Sequence, residues 1–201
     1  MGDTFLTIKQ ASEGFYSEKR SKFLAFAHHV ESVDEVKEIV GSYRKKFYDA
    51  RHVCYAYMLG AERLLFRAND DGEPSSTAGK PILGQINSRE LTDVLVVVVR
   101  YYGGVNLGTS GLIVAYRTAA SEALDTATVE TRLVEERITI AFSYAAMNDV
   151  MRVVKDLLPR VVAQQFDNTC SMTLSIRQSM AAELSRRLTG IASIADELPT
   201  D

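Results

Sequence analysis

The chain has 201 residues, of which 46% are hydrophobic and 24% charged, with a formal charge of -3 at pH 7. These figures describe an ordinary globular protein and exclude a disordered chain, a collagen-like repeat and a disulfide scaffold; the length suits one large domain or two small ones. Charge is spread evenly along the sequence, so nucleic acid would have to be held by a local patch rather than by the field of a basic half.

Cys54 and Cys170 stand far apart, and with His28, His29 and His52 they lack the paired short spacings of a structural zinc site. The N-terminus, Met1-Gly2-Asp3-Thr4-Phe5-Leu6, has no basic stretch followed by an apolar run, and the apolar run 94–99 is too short to cross a bilayer. Two lone thiols without a secretion signal point to a reducing cytosol, so the expectation is a cytoplasmic protein with no membrane partner.

In chain order, 21–27 reads as a strand. Ser32 and Glu35 form a capping box for a helix over 33–47, marked by Val36, Ile39, Val40, Tyr43 and Phe47 at helical spacing. Two strands, 52–59 and 63–68, are joined by Gly60-Ala61-Glu62 as a hairpin; in the first, His52, Cys54, Ala56 and Met58 share one face. A polar loop, 69–79, leads to a short helix beginning at Pro81. The strand 91–100 is apolar on both faces and runs through Arg100-Tyr101-Tyr102 into a glycine-rich loop, 103–111; a helix then continues to about 126. The polar stretch 127–136 reads as a linker. Beyond it come a strand from Ile138 to Tyr144, a helix stopped by Pro159, a strand over 160–166, a turn at Asp167-Asn168, an alternating strand from Cys170 to Ile176 and a helix ending near Ile191. That order supplies five of the six elements of a ferredoxin-like unit, with the last strand weak or missing. The reading is two α+β domains, 1–130 and 131–201.

The glycine loop between a buried strand and a helix carries the strongest local signal. Free amides and the helix dipole favour an anion there, and glycines permit close approach, although the same glycines also serve simply to turn the chain tightly. Gly103 and Gly108 have phosphate-loop spacing with Ser110 in the hydroxyl position, but Thr109 replaces the lysine, and no dinucleotide fingerprint exists. The candidate anion- or RNA-binding set is therefore Arg51, Lys80, Arg100, Tyr101, Tyr102, Gly103, Gly104, Asn106, Gly108 and Ser110, although Arg100 reads equally well as the ion-pair partner of one of the loop carboxylates. Asp70, Asp71 and Glu73 form an acidic loop with two readings, turn chemistry or a Mg²⁺ site. Ser75 and Thr77 bring hydroxyls without a triad, and His52 lies two residues from Cys54, too far along a strand to activate it. In the second domain the polar face (Thr139, Ala141, Ser143, Ser171, Thr173) lacks aromatics for base stacking and suits docking of a protein partner.

The ordered set Arg20-Ser21-Lys22-Phe23, 50–56, Asp70-Asp71-Gly72-Glu73-Pro74-Ser75, 77–83 and Arg100-Tyr101-Tyr102-Gly103-Gly104 through Leu107-Gly108 resembles the YigZ/IMPACT family, also called uncharacterised protein family 0029. The resemblance implies a first domain like domain 2 of ribosomal protein S5 and a second like the ferredoxin-like C-terminal domains of elongation factor G. Both relatives work on the ribosome, and eukaryotic IMPACT proteins regulate translation, so RNA or the ribosome is the implied partner. The sequence departs from the family pattern at Asn106 and Val114, where lysine and arginine are frequent, and at Ser76 and Ser110, where glycines are. Two readings follow. In one, the protein binds RNA or the ribosome through phosphates at the glycine loop and influences translation, with no cofactor. In the other, it is an enzyme acting on a small phosphorylated or nucleotide ligand, with Asp71 and Glu73 holding Mg²⁺.

Overall fold

The computed structural model describes residues 3–167 and 169–195. They form two compact units, one of Phe5–Arg132 and one joining residues 3–4 to 133–195. Both are α+β, the class expected from the sequence. Among the described residues no helix is long and apolar enough to cross a membrane.

In the first unit, β2 (Ser12–Glu18), β3 (Ser21–His29), β4 (His52–Leu59), β5 (Leu65–Asn69) and β6 (Val94–Tyr101) make a five-stranded sheet in the order β2-β3-β6-β4-β5. Every pairing in it is antiparallel. Alternation along the central strand feeds two cores. Val94, Val96 and Val98 pack under α2 (Gly79–Ser88) and α3 (Gly108–Asp125). Leu95, Val97 and Val99 pack with Val36 and Val40 of α1 (Val33–Lys46) on the other face. Helices on both faces explain why β6 reads as a continuous apolar run.

Helix α1 is capped much as expected: Ser32 Oγ accepts from the Glu35 N–H, and Glu35 reaches one residue further back than a standard box, accepting from the Glu31 N–H at 2.7 Å. Beneath this helix His28 Nε2 lies 2.8 Å from the Tyr43 hydroxyl. Burial holds the His28 pKa below its usual 6.5, with the Glu13 charge opposing in part. Because the folded pKa is the lower one, the unfolded chain takes up the proton first as pH falls. Stability is then full above about pH 6.5 and declines below it, towards the folded pKa. Urea midpoints measured between pH 5 and 7.5 are expected to fall on the acid side of 6.5, and His28→Gln is expected to flatten that part of the profile.

Four elements differ from the sequence reading. β1 (Thr4–Ile8) and β2 are strands not anticipated. In β2 the half-buried positions are Ser12, Gly14, Tyr16 and Glu18, so no apolar alternation announces it. It packs instead by close backbone approach: a Cβ on Gly14 would lie 2.2 Å from the Ala123 nitrogen in α3. The expected linker 127–136 contains β7 (Val129–Leu133), which pairs with β1 and turns Glu130 and Arg132 inward, where they bond each other at 2.7 Å. Helix α2 begins two residues before Pro81, at Gly79, where a Cβ would meet the Asn69 nitrogen at 2.4 Å. The proline falls at the third helical position, whose N–H needs no intrahelical partner.

The second unit contains β8 (Glu135–Phe142), α4 (Met147–Leu157), β9 (Arg160–Phe166), β10 (Cys170–Arg177), α5 (Gln178–Leu188) and β11 (Ser193–Ala195). The sheet order β11-β8-β10-β9 sets the last strand beside the first and the third between the first two, the ferredoxin-like arrangement. The strand expected to be weak or missing is present as short β11, paired antiparallel with β8. Ile138, Ile140, Phe142, Met172 and Leu174 pack against Val150, Leu184 and Leu188 of the two helices. Asn168 of the expected turn lies outside the described residues.

Candidate functional site

Alternation puts Arg100 on the same face of β6 as Val94, Val96 and Val98, beneath the helices α2 and α3, and puts Tyr101 on the opposite face. His52 stands directly across from Arg100 in the β4–β6 pairing, and Phe23 stands across from it in the β3–β6 pairing. Two polar side chains thus end up side by side where the sheet emerges from under its helices. The loop between β5 and α2 folds over this end.

Arg100 is only 5% exposed, and its Nη1 donates to Glu73 Oε1 at 2.5 Å. The same oxygen accepts from the Tyr116 hydroxyl at 2.7 Å; the Cys54 thiol donates to the Asp70 carbonyl at 3.0 Å, and its sulfur lies 3.4 Å from the Tyr116 oxygen. The guanidinium also lies over the rings of Phe23 and Tyr102, 5.6 and 5.7 Å from their centroids. Its Nε is buried and has no hydrogen-bond partner among the described residues. His52 Nδ1 lies 2.8 Å from the Asp71 carbonyl oxygen; a carbonyl only accepts, so Nδ1 carries the proton. His52 Nε2 then points at Glu73 Oε2, 3.8 Å away.

His52, Glu73 and Arg100 line a cleft of about 500 Å³ together with Arg51, Gly72, Pro74, Tyr102, Asn106, Leu107, Gly108, Thr109 and Leu112. One wall is the start of α3. No side chain caps that helix and its first turn holds no acidic residue, so its leading amides face the cleft end of the unit without an internal anion. Gly108 takes φ +71 and Gly104 φ +85, left-handed conformations that suit glycine. Gly103 has a different duty: a Cβ there would lie 2.2 Å from the Arg20 backbone, and its N–H is already donated to Ser21 Oγ at 3.0 Å. Tyr102, 45% exposed, forms the rim; Arg51 stands 5.9 Å from its ring centroid, and its hydroxyl donates to Asn106 at 3.2 Å.

Of the residues singled out from sequence, the cleft gathers Arg51, His52, Glu73, Arg100, Tyr102, Asn106 and Gly108. Five of the anion-binding candidates do not line it, a correction to the single cluster expected: Gly103 and Gly104 turn the chain beside it, and Tyr101, Lys80 and Ser110 lie elsewhere. Tyr101 packs edge-on to Phe47 on the α1 face and donates to Asp49. Lys80 is exposed on the first turn of α2, and Ser110 lines a separate depression with Tyr16, Lys19 and Val114. In the acidic loop the carboxylates serve the protein itself, in line with the turn-chemistry reading of the two. Asp70 Oδ1 accepts from the Ala78 and Gly79 amides at the start of α2, and Oδ2 accepts from Ser76. Asp71 accepts from the Val53 N–H and pairs with Arg44. Thr77 donates to the Pro74 carbonyl, and Ser75 is exposed. No group of three acidic, His or Cys side chains among the described residues is placed to hold a metal.

Comparison with known proteins settles the kinship. The family model for the Impact N-terminal domain matches residues 19–124. The Escherichia coli IMPACT family member YigZ is 32% identical over 85% of this chain and 84% of its own length. The chain belongs to the IMPACT family. YvyE, an IMPACT family member of Bacillus subtilis, is 39% identical over 61% of this chain, though the match spans only 56% of that relative. A crystal structure of a hypothetical protein aligns over 100% of both chains with a TM-score of 0.76 and 27% identity.

Tyr116, fully buried behind the cleft, is the residue of this network that sequence reasoning missed. The stripe Leu112, Ala115 and Ala119 already placed position 116 on the buried face of α3, and a buried tyrosine hydroxyl needs a partner. Burial, then the neighbouring Cys54, pushes its pKa up. Burial is also the main reason the Cys54 thiol is raised, with the charges of Glu73, Asp71 and Asp70 adding to it. Cys54 is therefore a packed donor and not a nucleophile. Native protein treated with iodoacetamide at pH 8 is expected to leave Cys54 unmodified by peptide mass mapping, and urea-unfolded protein to be labelled there; rapid labelling of the native thiol would contradict this burial.

Proposed function

We propose that this IMPACT protein binds single-stranded RNA through its phosphates in the cleft of the first unit, and that this binding serves translation, the setting the family resemblance implies. The observation that carries the reading is the uncapped start of α3 beside a buried arginine whose Nε has no partner. Helix amides and an arginine face are a common way to hold a phosphate oxygen. The charge balance agrees: Arg51 and Arg100 outnumber Glu73, the one carboxylate lining the cleft. An exposed tyrosine at the rim offers a base a stacking surface, as in sequence-tolerant single-strand binding. The size suits a nucleotide.

The Mg²⁺-dependent enzyme reading has less support, because Asp71 and Glu73, the carboxylates it needs, are engaged by Arg44, Val53, Arg100 and Tyr116. Fluorescence anisotropy with a labelled uridine oligonucleotide tests the RNA reading. Two or three phosphate contacts are expected to give log K falling against log salt with a slope of about -1.4 to -2. Binding that ignores salt, or none at micromolar protein, would overturn it.

A further inference from the structure

We propose that the cleft also selects its ligand by a ribose hydroxyl: the single proton of the 2′-OH next to the bound phosphate is shared between His52 Nε2 and Glu73 Oε2 in one three-centre hydrogen bond, so that RNA is preferred over DNA. This rests on the phosphate-binding reading and adds to it the chemistry of the sugar.

The two atoms are acceptors for separate reasons. His52 Nδ1 is committed as donor to the Asp71 carbonyl at 2.8 Å, so the neutral tautomer carries its lone pair on Nε2. Glu73 Oε1 takes both the Arg100 and the Tyr116 donors, while Oε2 receives no hydrogen bond from the described residues. Nε2 and Oε2 stand 3.8 Å apart. Two acceptors cannot bond each other; an oxygen carrying a proton can sit within hydrogen-bond distance of both. An ionised phosphate oxygen cannot, because it has no proton to give and meets the carboxylate as a like charge. The phosphate is thereby directed towards Arg100 and the first turn of α3, and the acceptor pair is left to a neighbouring hydroxyl. In a polynucleotide the hydroxyl closest to a phosphate is the ribose 2′-OH, the group by which proteins tell RNA from DNA. Both side chains are rigidly placed: Glu73 is 8% exposed, and His52 is fixed by its own carbonyl contact.

The test compares uridine hexamers with ribose, 2′-deoxyribose and 2′-O-methylribose, titrated by anisotropy into the full chain at one salt concentration. The ribose form is expected to bind about 10-fold more tightly than either analogue, the size of one hydrogen bond to a charged group. In His52→Leu and in the near-isosteric Glu73→Gln, each first shown to be folded by circular dichroism, the ratio is expected to fall towards 1 while salt-dependent binding persists. Equal binding of the three oligonucleotides by the parent protein would overturn this inference and leave the phosphate reading standing. A preference that survives in both variants would place the discrimination elsewhere and equally overturn it. Failure of all three to bind would remove the phosphate reading and this inference together.

Discussion

Replacing Arg100 by methionine is expected to lower folding stability by about 3–5 kcal/mol, the usual cost of breaking a buried ion pair from one side. The reason is the group left behind. Glu73 would be left without its counterion in a site only 8% exposed, with the Tyr116 hydroxyl as its remaining donor. Methionine fills much of the arginine's volume and still packs on Phe23, so the loss reports electrostatics more than a cavity. Adding Glu73→Gln to Arg100→Met removes the orphaned charge and is expected to restore at least half of the loss. Urea denaturation with an unchanged m-value is the measurement. A cost under about 1 kcal/mol, typical of an exposed pair, would mean that the guanidinium is not held in the interior.

The second large effect concerns the rim. Tyr102→Ala is expected to weaken binding of a uridine oligonucleotide by about 10-fold, within the range of one lost base stack. Arg51→Ala is expected to weaken it less at high salt than at low salt and to reduce the magnitude of the log–log salt slope by about 0.7, one phosphate contact on a single strand. Because the Arg51 guanidinium lies over the Tyr102 ring, the two losses are expected to combine less than additively. Arg51→Ala removes no buried contact, so its stability should stay within about 0.5 kcal/mol of the parent; Tyr102→Ala also takes a ring from the buried Arg100 guanidinium, so its affinity is read on protein first shown to be folded. Tyr101→Ala serves as the control: its side chain faces α1, and RNA affinity should not respond to it.

Which parts of this were legible in the sequence follows from how each part is held together. Strands β3, β4, β6 and β10 and helices α1 and α3 announce themselves because large apolar side chains recur at their period. β2 and β7 do not, because one packs by glycine against a helix backbone and the other turns an ion pair inward. Within the site, the glycine loop and Arg100 stood out as residue types, and the alternation of β6 already placed Arg100 on the covered face. An ion pair with a loop carboxylate was one of its two readings; what spacing could not reveal was which carboxylate. Glu73 arrives from a loop whose path is set by Asp70 capping α2, a contact that reaches nine residues forward to Gly79 and has no periodic signature. Tyr116 was similarly hidden, since a helical tyrosine on a buried stripe looks like core until the acceptor of its hydroxyl is known.

The central claim, an anion held between Arg100 and the first turn of α3, is tested most directly by ¹H–¹⁵N spectra of the full chain titrated with uridine 3′-monophosphate. The account predicts saturable shifts at the amides of Gly108, Thr109 and Ser110 and at the Arg100 Nε–H, with the amides of β8 and β10 unmoved. Saturable shifts confined to the ferredoxin-like unit, or none at the start of α3 at millimolar ligand, would contradict it.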